Sequence, residues 1–219
     1  MVNKEIGALG EKIIDYGKKL IAQGLVSGSG GNISHRLPEG KKMLITPSGM
    51  AYDKLQLEDL VIMDIETGDV VEGHRKPSIE KGLHRAILQA RPDVQAIVHC
   101  HSKHASAVAA TRNDIPPVLD NMVAYFGGGV ITAPHAPIGS LSLADNVVKA
   151  LGERPVALMA NHGAVAVGKD LSQAFLMAEL LEECAQIYLL SFLAGGPVAL
   201  TEKEVEEEIK WLQGKYGQA

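Results

Sequence analysis

Cysteine and aromatic residues are scarce in this chain: 219 residues hold two cysteines, three phenylalanines and one tryptophan. Cys100 and Cys184 stand in no zinc-ribbon or redox spacing, which excludes a disulfide framework and suits a reducing cytosol. No apolar run reaches the roughly 18 residues that would span a membrane. Met1 to Glu5 leads into an amphipathic pattern rather than the apolar stretch of a signal peptide. Basic clusters are also missing, and the net charge is −5, which argues against a nucleic-acid partner. The dinucleotide fingerprint is incomplete, because Ile33 stands where its last glycine belongs, and there is no Walker lysine–serine pair. These absences leave a cytoplasmic protein with neither a nucleic-acid nor a membrane partner and no bound nucleotide.

What is present reads as one domain over residues 1–219. Apolar residues make up 46% and charged residues 21%, enough for a substantial core. Ile6, Leu9, Ile13, Ile14, Leu20 and Ile21 carry helical spacing through 3–23, with Gly24 as the stop. The glycine-rich run 27–34 reads as neither helix nor regular strand. Strand-like runs follow at 43–45 and 60–64, then a helix over 78–88 and an apolar strand from Val94. Residues 103–110 read as a short helix, 130–132 as a strand and 143–151 as a helix. Two runs, 156–160 and 164–167, flank Asn161-His162-Gly163 as a strand pair. A long helix over 171–193 precedes a last one that opens on the capping-box pattern Thr201-Glu202-Lys203-Glu204. Such an order predicts an α/β domain with a central sheet flanked by helices.

The stretch Val98-His99-Cys100-His101 carries the chemistry. Strand alternation sends residues i and i+2 to one face, so His99 and His101 project together and Cys100 projects away. Two imidazoles on one face can share a transition metal, most often zinc. His162, in a tight turn beside Gly163, is either a third ligand or a loop histidine with a structural hydrogen bond. Three histidines would leave an open coordination position, the mark of a catalytic rather than a closed structural site.

Glu80 enters a helix in Lys76-Pro77-Ser78-Ile79-Glu80. It either complements the helix dipole or acts as a general acid/base, or as a ligand that leaves the metal when substrate arrives. Ser78 beside it is an N-cap, a phosphate hydroxyl, or both. The glycine run 28–31 and Thr46-Pro47-Ser48-Gly49 are loops whose backbone can approach an anion closely. Among the other histidines, His35, His74 and His135 sit in polar or proline-rich surroundings and read as surface residues. His84 follows Glu80 on its helix, and His104 reads as structural.

Taken in order, Gly30-Gly31-Asn32-Ile33-Ser34, Ile45-Thr46-Pro47-Ser48-Gly49, Lys76-Pro77-Ser78-Ile79-Glu80, His99-Cys100-His101 and His162-Gly163 resemble the zinc-dependent class II aldolase/adducin family over nearly the whole chain. The resemblance implies a mostly antiparallel central sheet and a metal-dependent aldehyde-lyase. It assigns one zinc per subunit to His99, His101 and His162, the catalytic carboxylate to Glu80, and the phosphate cradle to Gly31, Asn32, Ser48, Gly49 and Ser78. Tyr216 matches a tyrosine the family carries on its C-terminal tail near the active site.

The implied reaction is reversible cleavage of a ketose 1-phosphate, such as L-fuculose 1-phosphate, to dihydroxyacetone phosphate and a short aldehyde such as L-lactaldehyde. The implied assembly is a homotetramer with active sites between subunits. Two positions depart from the pattern. Ile79 replaces a second phosphate-binding serine, and Asp120 stands near the family's proton-donating interface tyrosine, leaving Asp120 or Tyr125 to substitute.

Related enzymes that epimerise, dehydrate or decarboxylate sugar phosphates would use the same metal and phosphate grip. The epimerases, however, favour Asp at Glu80 and Asp-Tyr-Phe at Ala124-Tyr125-Phe126. An adducin-like interaction domain would lack the complete histidine triad.

Overall fold

The computed structural model describes residues 4–215, with side chains as far as Leu212. Eight strands form one sheet: β1 (Asn32–Arg36), β2 (Lys42–Ile45), β3 (Val61–Asp64), β4 (Val70–Glu72), β5 (Ala96–Cys100), β6 (Thr132–Ala133), β7 (Val156–Met159) and β8 (Gly163–Gly168). Their spatial order is β4-β3-β2-β1-β5-β8-β7-β6. Every neighbouring pair runs antiparallel except β6 and β7. That parallel pair needs a crossover, which helix α5 (Leu141–Leu151) supplies.

The remaining helices are α1 (Lys4–Ala22), α2 (Lys81–Ala90), α3 (Lys103–Thr111), α4 (Asp120–Phe126), α6 (Leu171–Ser191) and α7 (Glu202–Lys215). Side chains alternate across each strand, so the sheet separates two cores. On one side Ile33, Val98, Cys100, Ala164 and Ala166 pack with residues of α1, α3, α4 and α6, including Ile13, Val108, Phe126 and Leu181. On the other, Ile97, Val165 and Val167 pack with Leu83 and Ile87 of α2 and Leu143 and Val147 of α5. All five residues of β5 are buried, as expected of a central strand covered on both faces. The thiol of Cys100 lies in the first core, away from the histidine beside it.

Several sequence expectations are refined. The glycine-rich run ends as a loop at Gly31, and its last three residues begin strand β1. Backbone pairing to both β2 and β5 outweighs the weak local propensity of Asn and Ser. The strand expected over 130–132 shifts to Thr132–Ala133, while Val130 makes only an isolated bridge to Ile115. Helix α2 starts at Lys81 with Glu80 at its N-cap position, so Ser78 is not the cap. Short α4 and the exposed edge strand β4 carry too little periodicity to be read in advance. The capping box at Thr201 forms as expected, with the Glu204 amide donating to Thr201 Oγ1 and the Thr201 amide to Glu204 Oε2.

Candidate active site

The metal-competent cluster forms where β5 ends and β8 begins. His99 is the fourth residue of β5, fully buried, on the face that looks toward α2. His101 lies just past the strand end, and its amide donates to the Leu25 carbonyl at 3.0 Å. His162 occupies the turn between β7 and β8. Asn161 holds that turn in left-handed backbone (φ 58°), with its amide donating to the Ala109 carbonyl and its Oδ1 accepting from Arg112 Nε at 2.8 Å. The three side chains offer ligand atoms that all lie within 4.8 Å of one another.

The protonation logic of this cluster calls for a cation. His99 Nδ1 lies 2.9 Å from the Ala164 carbonyl oxygen, which can only accept, so Nδ1 carries the hydrogen. Nε2 then presents its lone pair to His101 Nε2 at 2.9 Å and to Glu80 Oε2 at 3.0 Å. Glu80 Oε1 faces His162 Nε2 at 3.5 Å and, among the described residues, has no hydrogen-bond partner. Lone pairs crowded together in a buried pocket repel unless a positive charge lies among them. Three imidazole nitrogens with an adjacent carboxylate fit a divalent transition metal with an open position.

The charge states agree with that reading. Burial, with His99 and His162 nearby, pushes His101 down to about 4, and burial likewise lowers His162, so both stay neutral as ligands must. Burial alone would raise the Glu80 carboxyl. The closeness of the His99 imidazole and the hydrogen bond donated by Asn32 Nδ2 oppose it and lower Glu80 below the usual carboxylate range.

Glu80 is positioned from the sheet. Asn32 of β1 pairs directly opposite His99 of β5, and Asn32 Nδ2 donates to Glu80 Oε2 at 2.9 Å. One helical turn past Glu80, His84 is completely buried and meets both Asn32 Oδ1 and Ser34 Oγ. Sequence reading passed over His84, because a histidine in a helix shows its partners only once the face of β1 is known.

Gly31 permits the close passage of β1. It has φ 71°, and a Cβ there would lie 2.5 Å from the His99 carbonyl oxygen. Gly163 does the same for β8, where a Cβ would sit 2.5 Å from the Cys100 oxygen and 2.8 Å from His101 Cδ2. Substituting Gly163→Ala is expected to displace His101 and weaken metal affinity about tenfold, the lower end of what ligand misorientation costs. Titration against a competing chelator measures it; unchanged affinity would contradict this packing argument.

The residues that the resemblance assigns to a phosphate cradle lie side by side. Gly31, Asn32, Ser48, Gly49 and Ser78 line one cleft of about 260 Å³ with Glu80, His101 and His162. The amides of Ser48 and Ser78 are taken by Lys76 and Thr46 carbonyls, so these residues offer an anion their hydroxyls. Ser78 Oγ already accepts from the Glu80 amide and keeps its own hydrogen free to donate. Exposed Ile79 and Ile138 form an apolar rim. Asp120 and Tyr125 do not line this cleft: Asp120 borders an acidic hollow against α7, and Tyr125 lines a separate hollow with Arg91 and Pro155. Tyr216 lies outside the described residues. Of the other histidines, His74 and His135 are exposed, and His104 caps into Glu182. His35 corrects the surface expectation: it is half-buried against the Arg36 carbonyl.

His84 also makes stability pH-dependent. Burial pushes it from an ordinary 6.5 down to about 3. Between these values the unfolded chain binds a proton that the folded chain refuses, so this stabilisation is full above about pH 6.5 and declines as pH falls toward 3. The Tm of metal-free protein is expected to drop steadily from pH 7 to pH 4; a flat profile would contradict a neutral, buried His84.

A profile described as class II aldolase and adducin N-terminal domain matches residues 11–189. The chain belongs to that family. It is 40% identical over 208 residues to a 5-deoxy-D-ribulose 1-phosphate aldolase of Bacillus thuringiensis, covering 95% of this chain and 96% of the relative. It is 36% identical to the L-fuculose phosphate aldolase of Escherichia coli, covering 92% of each. A solved L-fuculose 1-phosphate aldolase superposes with a TM-score of 0.90 at 38% identity, covering 97% of this chain and 98% of that one. This chain is therefore a class II aldehyde-lyase, and the histidine cluster is its candidate metal centre.

Proposed function

We propose that the enzyme reversibly cleaves a ketose 1-phosphate to dihydroxyacetone phosphate and a short aldehyde, with one zinc ion per subunit. The carrying observation is the half-orphaned carboxylate of Glu80 set between three converging imidazoles and a hydroxyl-lined cleft. 5-Deoxy-D-ribulose 1-phosphate and L-fuculose 1-phosphate are the leading substrates, because relatives similar over nearly the whole chain carry those names.

His99, His101 and His162 hold the metal, which supplies Lewis-acid polarisation of the ketose carbonyl and charge compensation as the carbon–carbon bond breaks. Ser48 and Ser78 grip the phosphate with their hydroxyls, Asn32 with the second hydrogen of Nδ2, and Gly31 and Gly49 let the backbone approach it. That grip fixes the reacting carbons beside Glu80. In the synthetic direction Glu80 Oε1 takes a proton from the hydroxymethyl carbon of dihydroxyacetone phosphate; in cleavage it returns that proton. Tyr216 assists protonation at the aldehyde oxygen. Assembly as a homotetramer with shared active sites is supported by the exposed apolar run of Leu190, Phe192, Leu193 and Val198. A cytoplasmic location accords with two free, buried cysteines and with no described helix long and apolar enough to cross a membrane.

Incubating the metal-loaded enzyme with a panel of ketose 1-phosphates and assaying dihydroxyacetone phosphate tests the reading. Release from none of them would sink it, and turnover of L-ribulose 5-phosphate alone would favour an epimerase. Within the same assay, Ile79→Ser adds a hydroxyl to the cradle. One hydrogen bond to a charged group is worth about 1.5 kcal/mol at most here, so KM should fall by up to about tenfold with kcat little changed. An unaltered KM would place the phosphate elsewhere.

A further inference from the structure

Two side chains from one helical turn and two from one strand face form a chain of polar contacts that leads to the cleft. Glu80 and His84 are four residues apart at the start of α2, and Asn32 and Ser34 are two apart on β1. Both spacings keep a pair on one side of its element. Ile33 between the strand residues points into the opposite core. The contacts run Ser34 Oγ to His84 Nδ1 at 2.6 Å, His84 Nε2 to Asn32 Oδ1 at 2.5 Å, and Asn32 Nδ2 to Glu80 Oε2 at 2.9 Å. All four residues are at least 95% buried, so water does not compete for these bonds.

The donor directions are fixed by elimination. Glu80 Oε2 accepts from Asn32 Nδ2 at 2.9 Å, which fixes the Asn32 carboxamide with its nitrogen toward the carboxylate. Asn32 Oδ1 then faces His84 and requires an N–H at Nε2. A neutral imidazole has one hydrogen, so Nδ1 accepts and Ser34 donates. Burial keeps His84 neutral. Every hydrogen in the relay therefore points the same way, toward the carboxylate. A flipped Asn32 would instead set its oxygen against a carboxylate oxygen, and among the described residues His84 and Glu80 are the hydrogen-bond partners that select the amide orientation.

We propose that His84, supported by Ser34, is a positioning residue for the aldolase: it locks the Asn32 carboxamide so that Glu80 is held by Oε2 alone and keeps Oε1 free for proton transfer. This rests on the reaction proposed above. His84 touches neither the cleft nor a metal ligand, and acts only through Asn32.

The test combines kinetics with a spectroscopic readout. In metal-loaded His84→Leu, kcat on the substrate found by the panel should fall at least tenfold with KM within twofold and metal content unchanged, and His84→Gln, which can still donate to Asn32 Oδ1, should recover most of it. Adding His84→Leu to Asn32→Ala should cost nothing further, because the intermediary is already gone. Independently of activity, nitrogen NMR of wild type should show His84 as the Nε2–H tautomer and a slowly exchanging Asn32 side-chain amide that is lost in Ser34→Ala or His84→Leu. An Nδ1–H tautomer, or an equal loss of kcat from His84→Leu with and without Asn32, overturns the proposal. So does loss of activity in His84→Leu that tracks only metal loss or unfolding. If wild type cleaves no ketose 1-phosphate, the reaction assignment fails, and the tautomer and amide measurements still decide the relay.

Discussion

His99→Ala is expected to leave purified protein with less than about a tenth of the wild-type metal after dialysis and to lower kcat/KM by about a thousandfold or more, since removing a ligand exceeds the 10–100-fold effect of disturbing its support. The reason lies in how His99 is held. Its Nδ1–H is tied to the Ala164 carbonyl and its Nε2 lies 2.9 Å from His101 Nε2 and 3.0 Å from Glu80 Oε2. Alanine removes the shared contact of the cluster and leaves Glu80 facing a void. At 1.36 kcal/mol per tenfold, a thousandfold corresponds to about 4 kcal/mol of lost transition-state stabilisation. Metal analysis by plasma mass spectrometry, with His104→Ala as a control outside the cluster, checks it. Equal metal in wild type and His99→Ala would refute the ligand assignment.

Glu80→Gln should separate metal binding from proton transfer. The substitution preserves shape and can still accept from Asn32 Nδ2, and three imidazoles remain, so metal content should change little. The carboxylate that carries the proton is gone, and kcat should fall about 10²- to 10⁴-fold, the usual worth of a positioned general base. Single-turnover kinetics and metal analysis suffice. A kcat within threefold of wild type would remove Glu80 from the chemistry and leave it a structural cap of α2.

Much of this site could be read from sequence because it resides in short motifs with a fixed local geometry. Alternation alone separates Cys100 from His99, and the structure places that thiol in the opposite core. The convergence of His162 is not local. It depends on β8 pairing beside β5 in the register that sets Cys100 opposite Ala164, which no spacing encodes. β1 escaped notice for a related reason: glycine and serine hide a strand whose stability comes from neighbours on both sides rather than from its own propensity. His84 escaped with it, since an imidazole on α2 acquires meaning only from the face that Asn32 and Ser34 present. The long helices, by contrast, announce themselves through their own apolar period.

The two thiols also have a practical consequence. Burial pushes Cys100 and Cys184 up to about 11, so at neutral pH neither supplies the thiolate that alkylating agents and peroxide attack. Both lie behind the sheet, in the core that α6 covers, while the histidine cluster and Glu80 lie on its other side. Both thiols are therefore expected to react slowly with iodoacetamide in the folded chain and readily once it is unfolded.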